Sequence, residues 1–216
     1  MNPNFENSIS NILIPRLYPI LVPSRIGNGT LAEVIEFARE IVDGGATLIQ
    51  LREKSASSRE IVRIARELGR VLPDQVRLIV NDRADLAVAA GAHGVHLGQD
   101  DLAPEAARRI IGPNCLLGVS THNPEQLRQA NQSPADYLAV GPVFSTLSKE
   151  NPDPIIGLEG ITTARALTQK PLVAIGGITL DNCQSVIAAG ADSVAIISDL
   201  VPEPRKRTSD FLMKMR

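Results

Sequence analysis

The chain has 216 residues, 44% of them hydrophobic and 21% charged, with 24 acidic against 22 basic side chains and a net charge of -2. A folded chain of this size buries about 70% of the surface its unfolded form exposes, enough for one large core, and wholesale disorder is excluded. The near-neutral balance argues against nucleic acid as a partner, no apolar run approaches the ~18 residues of a membrane span, and two cysteines make neither a disulfide framework nor a zinc pattern. The first residues combine no basic start with an apolar stretch, so no secretory signal is read and a cytoplasmic protein with reduced thiols is expected. Residues 1–15 read as a loose N-terminal arm and residues 16–216 as one domain.

From residue 17 onward, short apolar runs alternate with amphipathic stretches. Strands are predicted at Leu17–Val22, Thr47–Leu51, Val76–Val80, Gly94–Leu97, Cys115–Val119, Asp136–Val140, Leu172–Ile175 and Ser193–Ile197. These runs are almost continuously apolar, the pattern of strands buried on both faces, and the near-absence of aromatics leaves Val, Ile, Leu and Ala to fill the core. Helices are expected between them. Thr30 with Glu33 and Ser57 with Glu60 read as capping boxes, and Asn123-Pro124 as an N-cap followed by a proline that suits a first helical turn. Gly44-Gly45-Ala46, Gly91-Ala92-His93-Gly94 and Gly190-Ala191-Asp192 each place glycine between a helix and the next strand, where a left-handed residue closes the helix. The repeated unit predicts an α/β fold, a (β/α)8 TIM barrel in a single domain; the pattern leaves an open doubly wound sheet as the alternative.

The polar residues gather at the C-terminal ends of these strands. Arg52-Glu53-Lys54 follows the second, Asn81-Asp82-Arg83 the third, Gly98-Gln99-Asp100-Asp101 the fourth and Ser120-Thr121-His122 the fifth. Gly141-Pro142 leads to Thr146, Ser148 and Lys149 after the sixth; Gly176-Gly177 ends the seventh and Ser198-Asp199 the eighth. That is the rim where barrel enzymes do chemistry, whereas the opposite turns read as plain Gly-Ala junctions. Glycines after strand seven and Ser198 after strand eight suit a phosphate cradle, although a Gly-Gly pair is equally a plain turn. Two carboxylates alone are as readily caps or surface charges. Arg52, Lys54 and Lys149 with Asp82 and Asp101, however, suit a pyrophosphate held through Mg²⁺, which prefers a carboxylate or two, phosphate oxygens and water. Two phosphate subsites suggest two phosphorylated substrates that are joined with release of pyrophosphate. His93 reads as structural, His96 as a core or hydrogen-bonding residue inside strand four, His122 as loop-orienting, and Cys115 and Cys183 as small buried hydrophobes.

In this order, these residues resemble the thiamine phosphate synthase (thiamine-phosphate pyrophosphorylase) family. The matching stretches are residues 50–54, 80–85, 94–101, 118–122, 141–144, 146–149, 157–160 and 174–178, so the resemblance spans nearly the whole chain. It implies a barrel that joins hydroxymethylpyrimidine pyrophosphate to hydroxyethylthiazole phosphate with Mg²⁺, with these two small molecules as its partners and a homo-oligomer left open. By matching motif, Gln50 contacts the pyrimidine, while Arg52, Lys54, Asn81, Ser120 and Lys149 hold its pyrophosphate, and Lys149, Ser120 and Arg52 are the catalytic candidates. Asp82 and Asp101 ligate Mg²⁺. Thr146 and Ser148 line the thiazole side, and Gly177, Ile197 and Ser198 receive its phosphate.

Two positions depart from the family pattern: Val22-Pro23-Ser24 stands where a Thr-Asp-like step ends strand one, and Asp199 where a small apolar residue is common. The alternatives to the synthase are a related thiazole tautomerase, which needs no Mg²⁺ carboxylates, and a non-catalytic phosphate-ligand sensor on the same scaffold.

Overall fold

The computed structural model describes residues 14–146 and 153–216. Eight parallel strands close on themselves, with the last bonded to the first, so the sheet is a barrel and not an open doubly wound sheet. The strands are β1 (Leu17–Leu21), β2 (Leu48–Leu51), β3 (Arg77–Asn81), β4 (Gly94–Leu97), β5 (Leu116–Thr121), β6 (Tyr137–Val140), β7 (Leu172–Ile175) and β8 (Ser193–Ile196). Each is followed by a helix: α1 (Leu31–Asp43), α2 (Ser58–Val71), α3 (Ala84–Ala90), α4 (Pro104–Ile111), α5 (Pro124–Gln132), α6 (Gly157–Leu167), α7 (Cys183–Ala188) and α8 (Pro204–Lys214).

Two of the strands run farther than their apolar stretches suggest. β3 includes Asn81, which pairs with His96, and β5 includes Ser120 and Thr121, which pair with Ala139 and Val140. Ladder bonds belong to the backbone and are indifferent to side-chain polarity, so polar site residues sit inside the strands and inherit their rigidity.

The helix starts follow the sequence with one correction. Thr30 and Glu33 form the full reciprocal box on α1, and Asn123 caps α5 with Pro124 in its first turn. Ser57 accepts from the Glu60 amide, but the return bond is absent because the Glu60 carboxylate is bound by Arg63 at 2.6 and 2.8 Å. The basic run Arg205-Lys206-Arg207 lies on α8 and is balanced by carboxylates: Arg205 by Glu40 and Asp43, Lys206 by Asp210, Arg207 by Asp199.

Two hydrophobic cores result. The larger lies between the sheet and the helices; the smaller fills the barrel with Tyr18, Ile20, Val22, Leu48, Ile79, Leu116, Tyr137, Ala139, Val173 and Ala195. Ile14, which the sequence places in the arm, is buried in this inner core. Cys183 is fully buried, whereas Cys115 is only partly so, a departure from its reading as a buried hydrophobe that follows from its place just ahead of β5.

The N-terminal end of the barrel carries more than glycine turns. Asp136 and Asp192, just ahead of β6 and β8, each donate a backbone N–H to the preceding strand's carbonyl at Leu117 or Leu172, at 2.8 Å in both cases. Each carboxylate takes the same leucine's N–H in return, at 2.7 and 2.8 Å. Arg108 of α4 and Arg165 of α6 then reach those carboxylates at 2.6 and 2.8 Å. His93, ahead of β4, makes a third copy of the clasp, its N–H bonding the Leu78 carbonyl while its Nδ1 accepts the Leu78 N–H at 3.0 Å. Burial and the nearby Arg77 lower the pKa of His93, consistent with a neutral ring that can accept.

Candidate active site

At the other end of the barrel, the described candidates stand at the C-terminal strand ends, with Gln50 buried just inside β2. Lys54 lies in the β2–α2 loop and reaches Asp82 after β3 at 3.2 Å. Asp82 occupies the left-handed region at φ 63°, which Asp tolerates better than most residues, and its N–H bonds the His96 carbonyl at 2.7 Å. Asp101, after β4, accepts the Gly98 N–H at 2.6 Å. Its pKa is raised, first by burial and then by the hydrogen-bonded Asp82 beside it, which outweigh the Gly98 bond. Two adjoining carboxylates with hard oxygen donors fit a magnesium ion, which would relieve their repulsion. Among the described residues no group of three or more His, Cys, Asp or Glu gathers.

A chain of hydrogen bonds crosses the barrel beneath this rim. The Gln50 amide nitrogen donates to the Tyr18 hydroxyl at 3.0 Å, and Tyr18 meets the Tyr137 hydroxyl at 2.8 Å. Tyr137 meets His96 Nδ1 at 3.0 Å, and His96 Nε2 meets Ser120 Oγ at 2.8 Å. Burial depresses the His96 pKa to about 4, so the ring is neutral and carries one proton. Burial likewise raises the Tyr18 and Tyr137 pKa values, which keeps both phenols protonated. The arrangement that leaves no buried proton unspent runs one way. Gln50 donates to Tyr18, Tyr18 to Tyr137, Tyr137 to Nδ1, and the Nε2 proton goes to Ser120, whose own hydroxyl proton is left to face the rim. Gly118 makes this possible: a Cβ there would stand 2.1 Å from Tyr137 Cζ and 2.4 Å from His96 Nδ1. The sequence marks His96 as a core or hydrogen-bonding residue and assigns no role to either tyrosine. Their signal was available, since a hydroxyl in the middle of an apolar barrel strand needs a partner.

The remaining described candidates lie at the C-terminal ends of the strands. Gln50 is only 2% exposed, Arg52 continues the β1–β2 pairing through its N–H to Leu21, and Asn81 ends β3. Gln99 ties the β4 and β5 ends together by donating to the Ser120 carbonyl at 2.5 Å. His122 orients the next loop through Gly141 at 2.7 Å. Thr146 lies beyond β6, and Ser148 and Lys149 fall outside the described residues. Gly177, at φ 62°, packs where a Cβ would come within 2.4 Å of the Ser145 carbonyl oxygen. Ile197 packs against the inner core and Ser198 opens a short 3-10 turn, Ser198–Leu200. Asp199, one of the two departures, takes the Leu180 N–H at 2.8 Å and so stitches the β7 loop to the β8 loop.

The family model described as thiamine monophosphate synthase matches residues 17–200. A thiamine-phosphate synthase of Koribacter versatilis is 58% identical over 204 residues, covering 94% of this chain and 97% of that protein. One of Moorella thermoacetica is 44% identical over 187 residues, covering 84% and 86%. Among solved structures, a thiamine phosphate pyrophosphorylase from Pyrococcus furiosus superposes with a TM-score of 0.81 at 35% identity, covering 93% of this chain and 95% of that one.

Proposed function

The chain belongs to the thiamine monophosphate synthase family, and from that premise we propose that it joins hydroxymethylpyrimidine pyrophosphate to hydroxyethylthiazole phosphate, leaving thiamine phosphate and free pyrophosphate. The observation that supports this reading most is the meeting of Lys54, Asp82 and Asp101 at the strand ends that also carry Ser120, Gly177 and Ser198. A thiazole phosphate isomerase has no need of the carboxylate pair.

In this reading Asp82 and Asp101 would hold Mg²⁺, and the ion would supply positive charge to offset that of the pyrophosphate. Arg52, Lys54, Asn81 and Lys149 bind the pyrophosphate oxygens, and the outward proton of Ser120 donates to one of them. Gln50, anchored by Tyr18, supports the pyrimidine from below. The methylene C–O bond breaks with its electron pair leaving on pyrophosphate, and the electron-rich pyrimidine carries the resulting cation. The thiazole nitrogen then supplies the pair for the new C–N bond. No protein nucleophile and no strong base are required, so the residues act by positioning and fixed charge.

Pyrophosphate release, followed continuously, tests the reading. It is expected only when the pyrimidine pyrophosphate, the thiazole phosphate and Mg²⁺ are all present. Release from the pyrimidine substrate alone marks a hydrolase, and turnover of the thiazole phosphate without pyrophosphate marks an isomerase; either overturns the synthase.

A further inference from the structure

The first rim loop, which holds the departure Val22-Pro23-Ser24, also carries a cation, Arg25, to the side assigned to the thiazole. Thr146, Ser148, Gly177, Ile197 and Ser198, the residues placed on that side by resemblance, are all uncharged. The pyrophosphate side, by contrast, has Arg52, Lys54 and Lys149. A phosphate monoester at pH 7 carries between one and two negative charges, and backbone amides with one hydroxyl bind its oxygens without supplying a full counter-charge.

Arg25 changes that balance. It ends the 3-10 turn Pro23–Arg25 that follows β1, and its Nη1 donates to Ser198 Oγ at 3.0 Å, across 173 residues of chain. The turn is a firm base for the side chain. Pro23 and Ile26 are buried, the Arg25 N–H bonds the Val22 carbonyl at 2.9 Å, and the Ile26 N–H bonds Pro23 at 3.0 Å. Beyond it, the Glu33 carboxylate gathers the N–H groups of Asn28 and Thr30 at 3.1 and 3.0 Å, pinning the loop onto the start of α1. On the receiving side, Asp199 holds the β8 loop against the β7 loop. Arg25 thus reaches Ser198, and the next residue, Asp199, fixes the loop on which Ser198 stands.

We propose that Arg25 is a binding residue for the phosphate of the thiazole substrate and sets the preference for the phosphorylated thiazole over its free alcohol. This rests on the synthase reading above for the identity of the ligand. The guanidinium holds Ser198 in the free protein and shares the phosphate oxygens with it when substrate arrives, a geometry suited to its planar set of donors.

The variants Arg25→Gln and Arg25→Lys test the proposal. In Arg25→Gln, KM for the thiazole phosphate is expected to rise about 10- to 100-fold, as for loss of a charge-assisted contact, while KM for the pyrimidine pyrophosphate and kcat at saturation stay within about twofold. The wild-type preference for the phosphate over the free alcohol narrows by the same factor, and Arg25→Lys recovers part of the loss. An unchanged KM for the thiazole phosphate overturns the proposal, as does an equal rise for both substrates, which marks a loop that supports the whole mouth. Calorimetric titration of the thiazole phosphate alone needs no turnover and separates this proposal from the reading beneath it. An inactive wild type that still binds the ligand more tightly than Arg25→Gln sinks the synthase and keeps Arg25. Equal binding by wild type and variant sinks Arg25 whatever the activity.

Discussion

At the N-terminal end of the barrel, Asp136 and Asp192 are each held by an arginine from one helix and the N–H of a neighbouring strand. At the C-terminal end, Asp82 and Asp101 face each other, with Lys54 at 3.2 Å from one of them and exposed to water. The same residue type is thus tied to an arginine and a strand N–H at one end and set beside a second carboxyl at the other. Carboxylates that complete a hydrogen-bond set stabilise a fold, whereas carboxylates crowded together at a rim cost stability and gain it back only from a cation. One end of this barrel is spent on closing the sheet and the other on binding, and substitutions at the two ends are expected to separate stability from activity.

The largest effect falls at the binding end. Asp82→Asn keeps a residue that tolerates the left-handed backbone at φ 63°. It is expected to lower kcat/KM by roughly 10²- to 10³-fold and to raise the Mg²⁺ concentration needed for half-maximal rate, with the melting temperature moved by less than about 2 °C. A magnesium titration decides, and an unchanged curve places the metal elsewhere.

Next comes the closing end. Asp136→Ala leaves Arg108 and the Leu117 N–H without their shared acceptor in a partly buried site. A loss of about 3 kcal/mol is expected, seen as a melting temperature lower by roughly 6–12 °C, with kcat of the folded enzyme unchanged. A fall in kcat at a temperature where the variant is fully folded would show the two ends to be coupled.

Between the two lies the chain of hydrogen bonds that joins the barrel interior to Ser120. Tyr137→Phe removes the hydroxyl that bonds both Tyr18 and His96. It releases the fixed proton order that aims Ser120 outward, and about a tenfold drop in kcat is expected. Ser120→Ala alone should cost at least as much, and the double variant no more than Ser120→Ala. Additive losses would mean that Tyr137 acts independently of Ser120.

The smallest effect concerns His93, the copy of the clasp built from imidazole. Folded His93 takes its proton at lower pH than it does in the unfolded chain, where about 6.5 applies. Below that value the unfolded state binds more protons, so stability declines as pH falls through the window beneath 6.5. His93→Asp converts this copy to the form used before β6 and β8 and should flatten the decline in melting temperature between about pH 7 and pH 5. An identical slope in the variant would assign the decline to other groups.

Much of this was legible before folding. Eight apolar runs separated by glycine-ended helices specified the repeating unit, and the collection of Arg52, Lys54, Asp82, Asp101 and Ser198 after successive strands marked one rim as chemical. Both follow from local causes, since burial on two faces demands a continuous apolar run and the polar residues can stand only where the run stops. The clasps at the other end escaped notice because Asp136 and Asp192 look like ordinary residues at a turn until Arg108 and Arg165 are brought to them.

What the sequence determined by itself, then, was the string of β-α units and the rim on which its polar side chains stand. Tertiary structure alone decided which distant residues meet: Tyr18 with Tyr137 across 119 positions, and Arg25 with Ser198 across 173. The reason is physical. Both faces of each strand are buried, so no contrast along the chain tells which residues turn inward, and cross-barrel partners are chosen only when the sheet closes with a particular register.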